Sequence, residues 1–264
     1  MIDIVTLRGT GEQRNSDGTP AGMLRDVAKL LDTDKFNLWE PDWPASIGPT
    51  PDLWGPSLDT SVRRGIAAGV QAIQDSPNVC ALLSYSLGGI VASTILEGVR
   101  AGRYTNLDGS PLEIAFIVNI ANPMRRRGQS VGNLCPSDTY GLHRERGLWP
   151  AGVDVREYAN PNDIITSSPG NSPLRLIDAG ISPFSLVEGA RIGDLTPLLF
   201  HELLEFLLAD PVANIDRYAA AVRGLLGYLT PWPDGEHVRY SGHEMPGTGV
   251  LWTTHAADYL NANY

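Results

Sequence analysis

Short apolar segments alternate with amphipathic segments along most of the chain. Five short segments, most of them largely apolar and bounded by turn-forming residues, predict β-strands. The segments with apolar residues every three or four positions predict helices that bury one face. Strands that are apolar throughout and alternate with helices are typical of a parallel sheet covered on both sides. We predict strands at residues 2–7, 36–39, 79–84, 114–120 and 153–159, in the sheet order 2-1-3-4-5, and helices at residues 21–31, 57–76, 87–101 and 252–261.

The pattern changes after Ile165. Residues 169–173 are rich in turn formers, and residues 174–229 have a helical pattern without strands, interrupted by prolines. This division predicts a core at residues 1–168, a helical insertion at 169–230, and a return to the core at 231–264. The apolar segment 198–208 predicts that the insertion shapes a groove for an apolar ligand; the alternative is a helix that packs inside the insertion itself.

Composition and charge narrow the class of function. The chain has 264 residues, with 20 basic against 30 acidic side chains and a net charge of −10. A nucleic-acid-binding protein normally has a basic patch, and an acidic surface disfavours docking onto anionic lipid. No run of 18 apolar residues and no secretory signal is present, so we expect neither a membrane span nor export through a signal peptide.

The two cysteines do not form a disulfide framework. Cys80 lies in an apolar run and is expected to be a buried thiol, although a bridge between Cys80 and Cys135 stays open at this point. Histidine and cysteine spacings typical of zinc sites are absent from the sequence, so we expect no metal and no cofactor.

The segment Ser84-Tyr85-Ser86-Leu87-Gly88 joins the third predicted strand to its helix. A nucleophilic serine occupies this place in α/β-hydrolases, on a turn so tight that the residues two before and two after it must be small. Gly88 meets this requirement, and Ser84 stands where glycine is usual. We predict Ser86 as a nucleophile, with the backbone N–H of Leu87 at the helix N-terminus as an oxyanion donor; the alternative is an incidental serine in a small-residue turn.

A nucleophilic serine needs a base and an acid that orients the base. Asp163 follows the fifth predicted strand, at the sheet edge expected for Ser86, and is the predicted acid; the alternative is a turn or capping aspartate. His237 and His243 both lie before the last helix, where the base belongs in this fold class. We predict His237, on a partly exposed loop, with His243 as its rival. Five histidines compete in all: His143, His201, His237, His243 and His255.

The glycine-rich loop Arg8-Gly9-Thr10-Gly11-Glu12 follows the first strand. A dinucleotide-binding loop would need the GxGxxG spacing, which this loop lacks. In a hydrolase the same loop provides a second oxyanion N–H, and Thr10 is the predicted donor.

Several of these motifs together resemble a known family. The loop Arg8–Glu12 and the Tyr85-Ser86-x-Gly88 turn resemble the cutinase-like serine esterases of the α/β-hydrolase superfamily. Asn122-Pro123-Met124-Arg125, Arg156-Glu157-Tyr158-Ala159 and the helical insertion narrow the resemblance to the lysin B esterases of mycobacteriophages, and Val238-Arg239-Tyr240 after His237 resembles their His-x-x-Tyr neighbourhood.

The resemblance implies a three-layer α/β-hydrolase fold and a serine esterase, monomeric and without a cofactor. Its substrate would be the ester between mycolic acids and arabinogalactan in the envelope of mycolate-containing bacteria. Such an enzyme would be made in the host cytoplasm and act at the envelope during lysis. Two alternatives stay open: a cutinase-like esterase or lipase acting on smaller lipid esters, and a non-catalytic module that binds envelope lipid.

Overall fold

The computed structural model describes residues 1–47, 55–172, Arg175 and 235–264. The strands are β1 (Ile2–Leu7), β2 (Phe36–Trp39), β3 (Val79–Tyr85), β4 (Ile114–Ile120), β5 (Thr139–Tyr140), β6 (Asp154–Tyr158) and β7 (Ser168–Pro169). The helices are α1 (Gly22–Ala28), α2 (Leu58–Asp75), α3 (Leu87–Arg100) and α4 (Trp252–Asn263).

Five parallel strands form the central sheet in the order β2-β1-β3-β4-β6. This is the predicted order, and β6 is the strand predicted at 153–159. The register aligns Leu7 of β1 with Ser84 of β3, and Tyr85 of β3 with Ile120 of β4. The segments that follow β1, β3 and β6 therefore leave the sheet at the same carboxyl edge, where ligands bind in open α/β sheets.

Alternate side chains of each strand pack into two apolar layers, one on each face of the sheet. In β3, Ala81 and Leu83 contact the layer built on α1 and α4, whereas Cys80 and Leu82 contact the layer built on α2 and α3. A strand buried on both faces needs a continuous apolar sequence. The structure confirms the predicted three-layer α/β class in this way.

Both cysteines are free and buried. Cys80 lies in β3 beneath α2, and the Cys135 thiol donates to the carbonyl oxygen of Ala159 at 3.3 Å. The bridge left open by the sequence is therefore not formed.

Residues 173–174 and 176–234 lie outside the described residues, and with them almost all of the predicted helical insertion and its apolar segment. Among the described helices, none has the length and hydropathy needed to cross a membrane.

Candidate active site

The turn between β3 and α3 holds Ser86 in a strained backbone conformation. Its φ is 51° and its ψ is −116°, in a region that non-glycine residues rarely adopt. The N–H of Ser86 donates to the carbonyl oxygen of Ile120 at 3.0 Å, which fixes the turn to β4. Such strain persists only where the surroundings impose it, and it is common at functional sites.

Small residues make this turn fit against the sheet. A Cβ atom on Gly88 would lie 1.9 Å from the carbonyl oxygen of Leu7, so the first turn of α3 touches the backbone of β1. Ser84, which replaces the usual glycine, is fully buried, and its hydroxyl donates to the side-chain oxygen of Asn119. The departure from glycine is thus accommodated by a polar partner.

His237 connects Ser86 with Asp163. Its Nε2 lies 2.7 Å from the Ser86 Oγ, and its Nδ1 lies 2.9 Å from the Asp163 Oδ2. An ionised carboxylate can only accept, so the bond to Asp163 places the ring proton on Nδ1 and leaves the Nε2 lone pair facing the serine hydroxyl. These three residues, far apart in sequence, are the ones predicted as nucleophile, base and acid.

His237 is held more firmly than the sequence predicts. It lies in a short 3-10 turn, Glu236–Val238, and is only 8% exposed, whereas the expected loop histidine was partly exposed. The Tyr85 ring stacks on the imidazole with centroids 5.5 Å apart, and the Tyr85 hydroxyl donates to the His237 carbonyl oxygen at 2.9 Å. The rival His243 is exposed on the next turn.

Asp163 has donors on both carboxylate oxygens. The N–H of Ile165 donates to Oδ1 at 3.0 Å, while the Tyr240 hydroxyl donates to Oδ2 at 2.9 Å, beside the histidine. Asp163 is 2% exposed. A buried carboxylate needs such donors, because burial without them costs several kcal/mol.

The loop after β1 lies against the same turn, and two carboxylates and a guanidinium fix it. Glu12 accepts the N–H of Gly9 at 2.8 Å with one oxygen and the N–H of Met23 at 2.8 Å with the other. Arg8 donates to the Glu12 carbonyl oxygen at 3.0 Å and to the Glu40 carboxylate at 2.9 Å. Thr10 is therefore carried by a loop tied down at both ends.

The pKa values of the two carboxylates that fix this loop, Glu12 and Glu40, are both raised. Burial raises the pKa of Glu12, and the N–H donors of Met23 and Gly9 oppose the increase. Burial raises the pKa of Glu40 to about 7, against the opposing effect of the Arg8 guanidinium. The ion pair between Arg8 and Glu40 is almost completely removed from water, with side chains 6% and 0% exposed.

A second buried polar network supports the ends of β3, β4 and β6. Glu157 accepts from the side-chain amides of Asn119 at 3.1 Å and Asn122 at 3.2 Å, and lies 3.7 Å from the Arg146 guanidinium. Burial raises the pKa of Glu157, and Arg146 opposes the shift. Through Asn119 this network reaches Ser84, two residues before Ser86.

Sequence reasoning assigned no role to the residues that fix the site in place. Tyr85, Glu12 and Tyr240 stand in motifs that the sequence resemblance includes, Tyr240 through the His-x-x-Tyr spacing, but the sequence does not indicate what their side chains contact. Glu40 lies outside those motifs and reaches the loop after β1 through its bond to Arg8.

The described residues contain no cluster of three or more His, Cys, Asp or Glu side chains that could hold a metal ion.

The site places the Ser86 hydroxyl beside a nitrogen of His237, at the N-terminus of α3. The first N–H groups of a helix have no acceptor within the helix and carry partial positive charge. Such a set of groups can activate the hydroxyl as a nucleophile and stabilise negative charge beside it.

Comparison with solved structures identifies the fold. Lysin B from mycobacteriophage D29 matches with a TM-score of 0.58 and 19% identity, over 98% of each chain. The catalytic core of acetyl xylan esterase from Trichoderma reesei matches with a TM-score of 0.49 and 19% identity, over 70% of this chain and 95% of the other. A cutinase-like protein from Cryptococcus sp. gives 0.42 and 15%, over 72% and 96%.

In comparisons with models of protein families and with curated proteins, no match to this chain is found. At 19% identity the likeness to lysin B concerns the fold. The chain thus has a five-stranded α/β-hydrolase fold that it shares, over nearly its whole length, with lysin B from mycobacteriophage D29.

Proposed function

We propose that this chain is a serine carboxylic-ester hydrolase in which Ser86 is the nucleophile, His237 the general base and Asp163 the residue that orients it. The observation that carries the proposal is the position of the imidazole, 2.7 Å from the Ser86 Oγ and 2.9 Å from the Asp163 Oδ2. The positive φ of Ser86, at a strand-to-helix turn of the kind that carries the nucleophile in α/β-hydrolases, supports it.

The reaction follows from these contacts. His237 Nε2 takes the Ser86 proton as Oγ bonds to the ester carbonyl carbon, and the carbonyl oxygen becomes an oxyanion. The backbone N–H of Leu87, the first residue of α3, and that of Thr10 are the proposed donors to that oxyanion. When the carbon–oxygen bond breaks, the imidazolium gives its proton to the leaving alcohol, and water then hydrolyses the acyl-enzyme by the same two proton transfers.

The finer part of the proposal is the substrate, the ester that joins mycolic acids to arabinogalactan. Its support is the set of motifs that resemble the lysin B esterases, together with a fold likeness that covers 98% of both chains. The leaving alcohol would then be a sugar hydroxyl and the acyl group a very long lipid, bound in part by the predicted helical insertion at 169–230.

A fluorophosphonate probe tests the chemistry. We expect labelling of the wild type and of Ser137→Ala, an exposed control serine, and no labelling of Ser86→Ala. Loss of the base in His237→Ala should lower kcat by about 10³-fold or more, while His243→Ala keeps most of it. A folded wild type that does not react with the probe would contradict the esterase proposal.

The substrate needs a separate experiment. Purified mycolyl-arabinogalactan is incubated with the wild type and with Ser86→Ala, and released mycolic acids are measured by mass spectrometry. We expect release by the wild type only. Turnover of short nitrophenyl esters without release of mycolic acid would retain the esterase and reject this substrate in favour of smaller lipid esters.

A further inference from the structure

The environment of Asp163 contains a donor that the proposed reaction does not use. Tyr240 is 1% exposed, and its hydroxyl donates to Asp163 Oδ2 at 2.9 Å, the same oxygen that accepts from His237. The Tyr240 oxygen in turn accepts the backbone N–H of Asn160 at 2.9 Å. This second bond determines the direction of the first, because a hydroxyl that already accepts from Asn160 has its proton free only for the carboxylate.

The tyrosine is rigidly placed. Its ring packs on Trp252 at the start of α4, with centroids 5.4 Å apart, and its carbonyl oxygen accepts the N–H of Thr253 at 3.3 Å. Burial, and then the negative charge of Asp163, raise the pKa of Tyr240 well above its usual value. The hydroxyl therefore stays protonated, and stays a donor, over the whole pH range in which an esterase of this kind would work.

Resting on the proposed function, we infer that Tyr240 is a positioning residue: its hydroxyl fixes Asp163 Oδ2 toward His237 and shares the negative charge that the imidazolium faces. Tyr240 acts on the reaction through Asp163, because its hydroxyl bonds to that carboxylate and to the N–H of Asn160, while the Ser86 hydroxyl bonds to His237.

Sharing the carboxylate has a predictable effect on protonation. A carboxylate that accepts a second hydrogen bond presents less negative charge to the imidazole. Without the Tyr240 hydroxyl, Asp163 would stabilise the imidazolium more, and a higher pH would be needed to obtain the neutral base. The other titratable groups around the pair are Glu12 beside His237, Glu236, which is bonded to Asn160, and Cys135 beside Tyr240.

The experiment compares Tyr240→Phe with Tyr158→Phe. Each variant removes one buried tyrosine hydroxyl and keeps the ring, but the Tyr158 hydroxyl contacts His255 instead of the proposed active site. For Tyr240→Phe we expect kcat on a soluble nitrophenyl ester to fall about tenfold with KM within twofold, and the acid limb of the kcat/KM profile to move up by about 0.5 to 1 pH unit. For Tyr158→Phe we expect neither change.

A double-mutant cycle isolates the coupling. In an Asp163→Asn background, Tyr240→Phe should have no further effect on the acid limb, because the charge that it modulates is gone. Thermal melts of all variants identify a temperature at which every variant is folded. The rates are compared at that temperature.

The outcomes separate the two proposals. A Tyr240→Phe enzyme that loses rate equally at every pH has lost stability or packing only, and the positioning role is then wrong while the esterase stands. A Tyr240→Phe enzyme with unchanged rates and an unchanged pH profile also overturns the positioning role and leaves the esterase in place. A wild type that neither hydrolyses the ester nor reacts with a fluorophosphonate overturns the proposed function, and the role of Tyr240 with it.

Discussion

The contact between the start of α3 and the end of β1 makes a sharp prediction for Gly88→Ala. The new Cβ atom would lie 1.9 Å from the Leu7 carbonyl oxygen and 2.5 Å from the Leu7 carbonyl carbon. Cβ atoms essentially never approach other heavy atoms within 3.0 Å, so the backbones of β1 and α3 would have to separate by about 1 Å. Neither group is the end of a flexible side chain that could rotate away.

The expected cost follows from overpacking. Inserting one methyl group into a packed core costs about 1–3 kcal/mol and more where the backbone must move, so we expect a loss of about 3 kcal/mol or more in the free energy of unfolding. For a chain of this size that lowers Tm by roughly 6–12 °C. Helix propensity alone would favour alanine over glycine by about 1 kcal/mol, so the sign of the change is itself informative.

The assay is urea unfolding of Gly88→Ala beside two controls. At Gly242 a Cβ atom would meet only the Arg239 carbonyl oxygen, at 3.9 Å, so Gly242→Ala should lie within about 0.5 kcal/mol of the wild type. At Gly89 the Cβ atom would meet the Asn122 side chain at 2.8 Å, so Gly89→Ala should fall between the two. A Gly88→Ala protein as stable as Gly242→Ala would refute the close approach of helix and strand.

Three further predictions concern buried groups. Glu157→Leu should cost about 3–5 kcal/mol in urea unfolding, because it leaves the buried Arg146 guanidinium without its carboxylate; a cost under 1 kcal/mol would contradict this. Cys80 and Cys135 should react with a thiol reagent only on unfolding, giving two thiols per chain without a reductant; a count of none would indicate a bridge between them. Burial raises the pKa of Glu40 to about 7, above its value in the unfolded chain, so the contribution of Glu40 to stability is present below the unfolded pKa and is lost as the pH rises through 7. The wild type should therefore lose stability relative to Glu40→Gln between pH 5 and pH 8. A constant difference in stability between the two proteins would contradict this.

The central sheet was predictable because its pattern is local. β1, β2 and β4 have the predicted bounds, and α2 begins one residue after the predicted start because the Ser57 side chain caps it by accepting the N–H of Thr60. α1 is shorter than predicted, ending at Ala28. The residues after Ala28 form turns instead of a further turn of helix, and Leu31 stays buried there. The apolar spacing therefore extends beyond the end of the helix.

The partners of the site were harder to predict for the opposite reason. Ser86 and Asp163 follow strand ends, which the apolar pattern locates, whereas Tyr240 and Glu40 reach the site through three-dimensional packing. Likewise, the burial of His237 depends on the Tyr85 ring, 152 residues away along the chain. Hydrophobic periodicity carries no information about such pairs.

The hydrogen bond between His237 and Ser86 joins residues 151 positions apart, and the bond between His237 and Asp163 spans 74. Closing a loop of such length costs more chain entropy than a local contact does, so we expect these two bonds to form late in folding. On the ribosome, a nascent chain that has already folded its nucleophile turn would still lack the proposed base. In a refolding experiment, reactivity toward a fluorophosphonate should therefore return after the bulk of the helical circular dichroism, and so report when the two distant parts of the chain have joined.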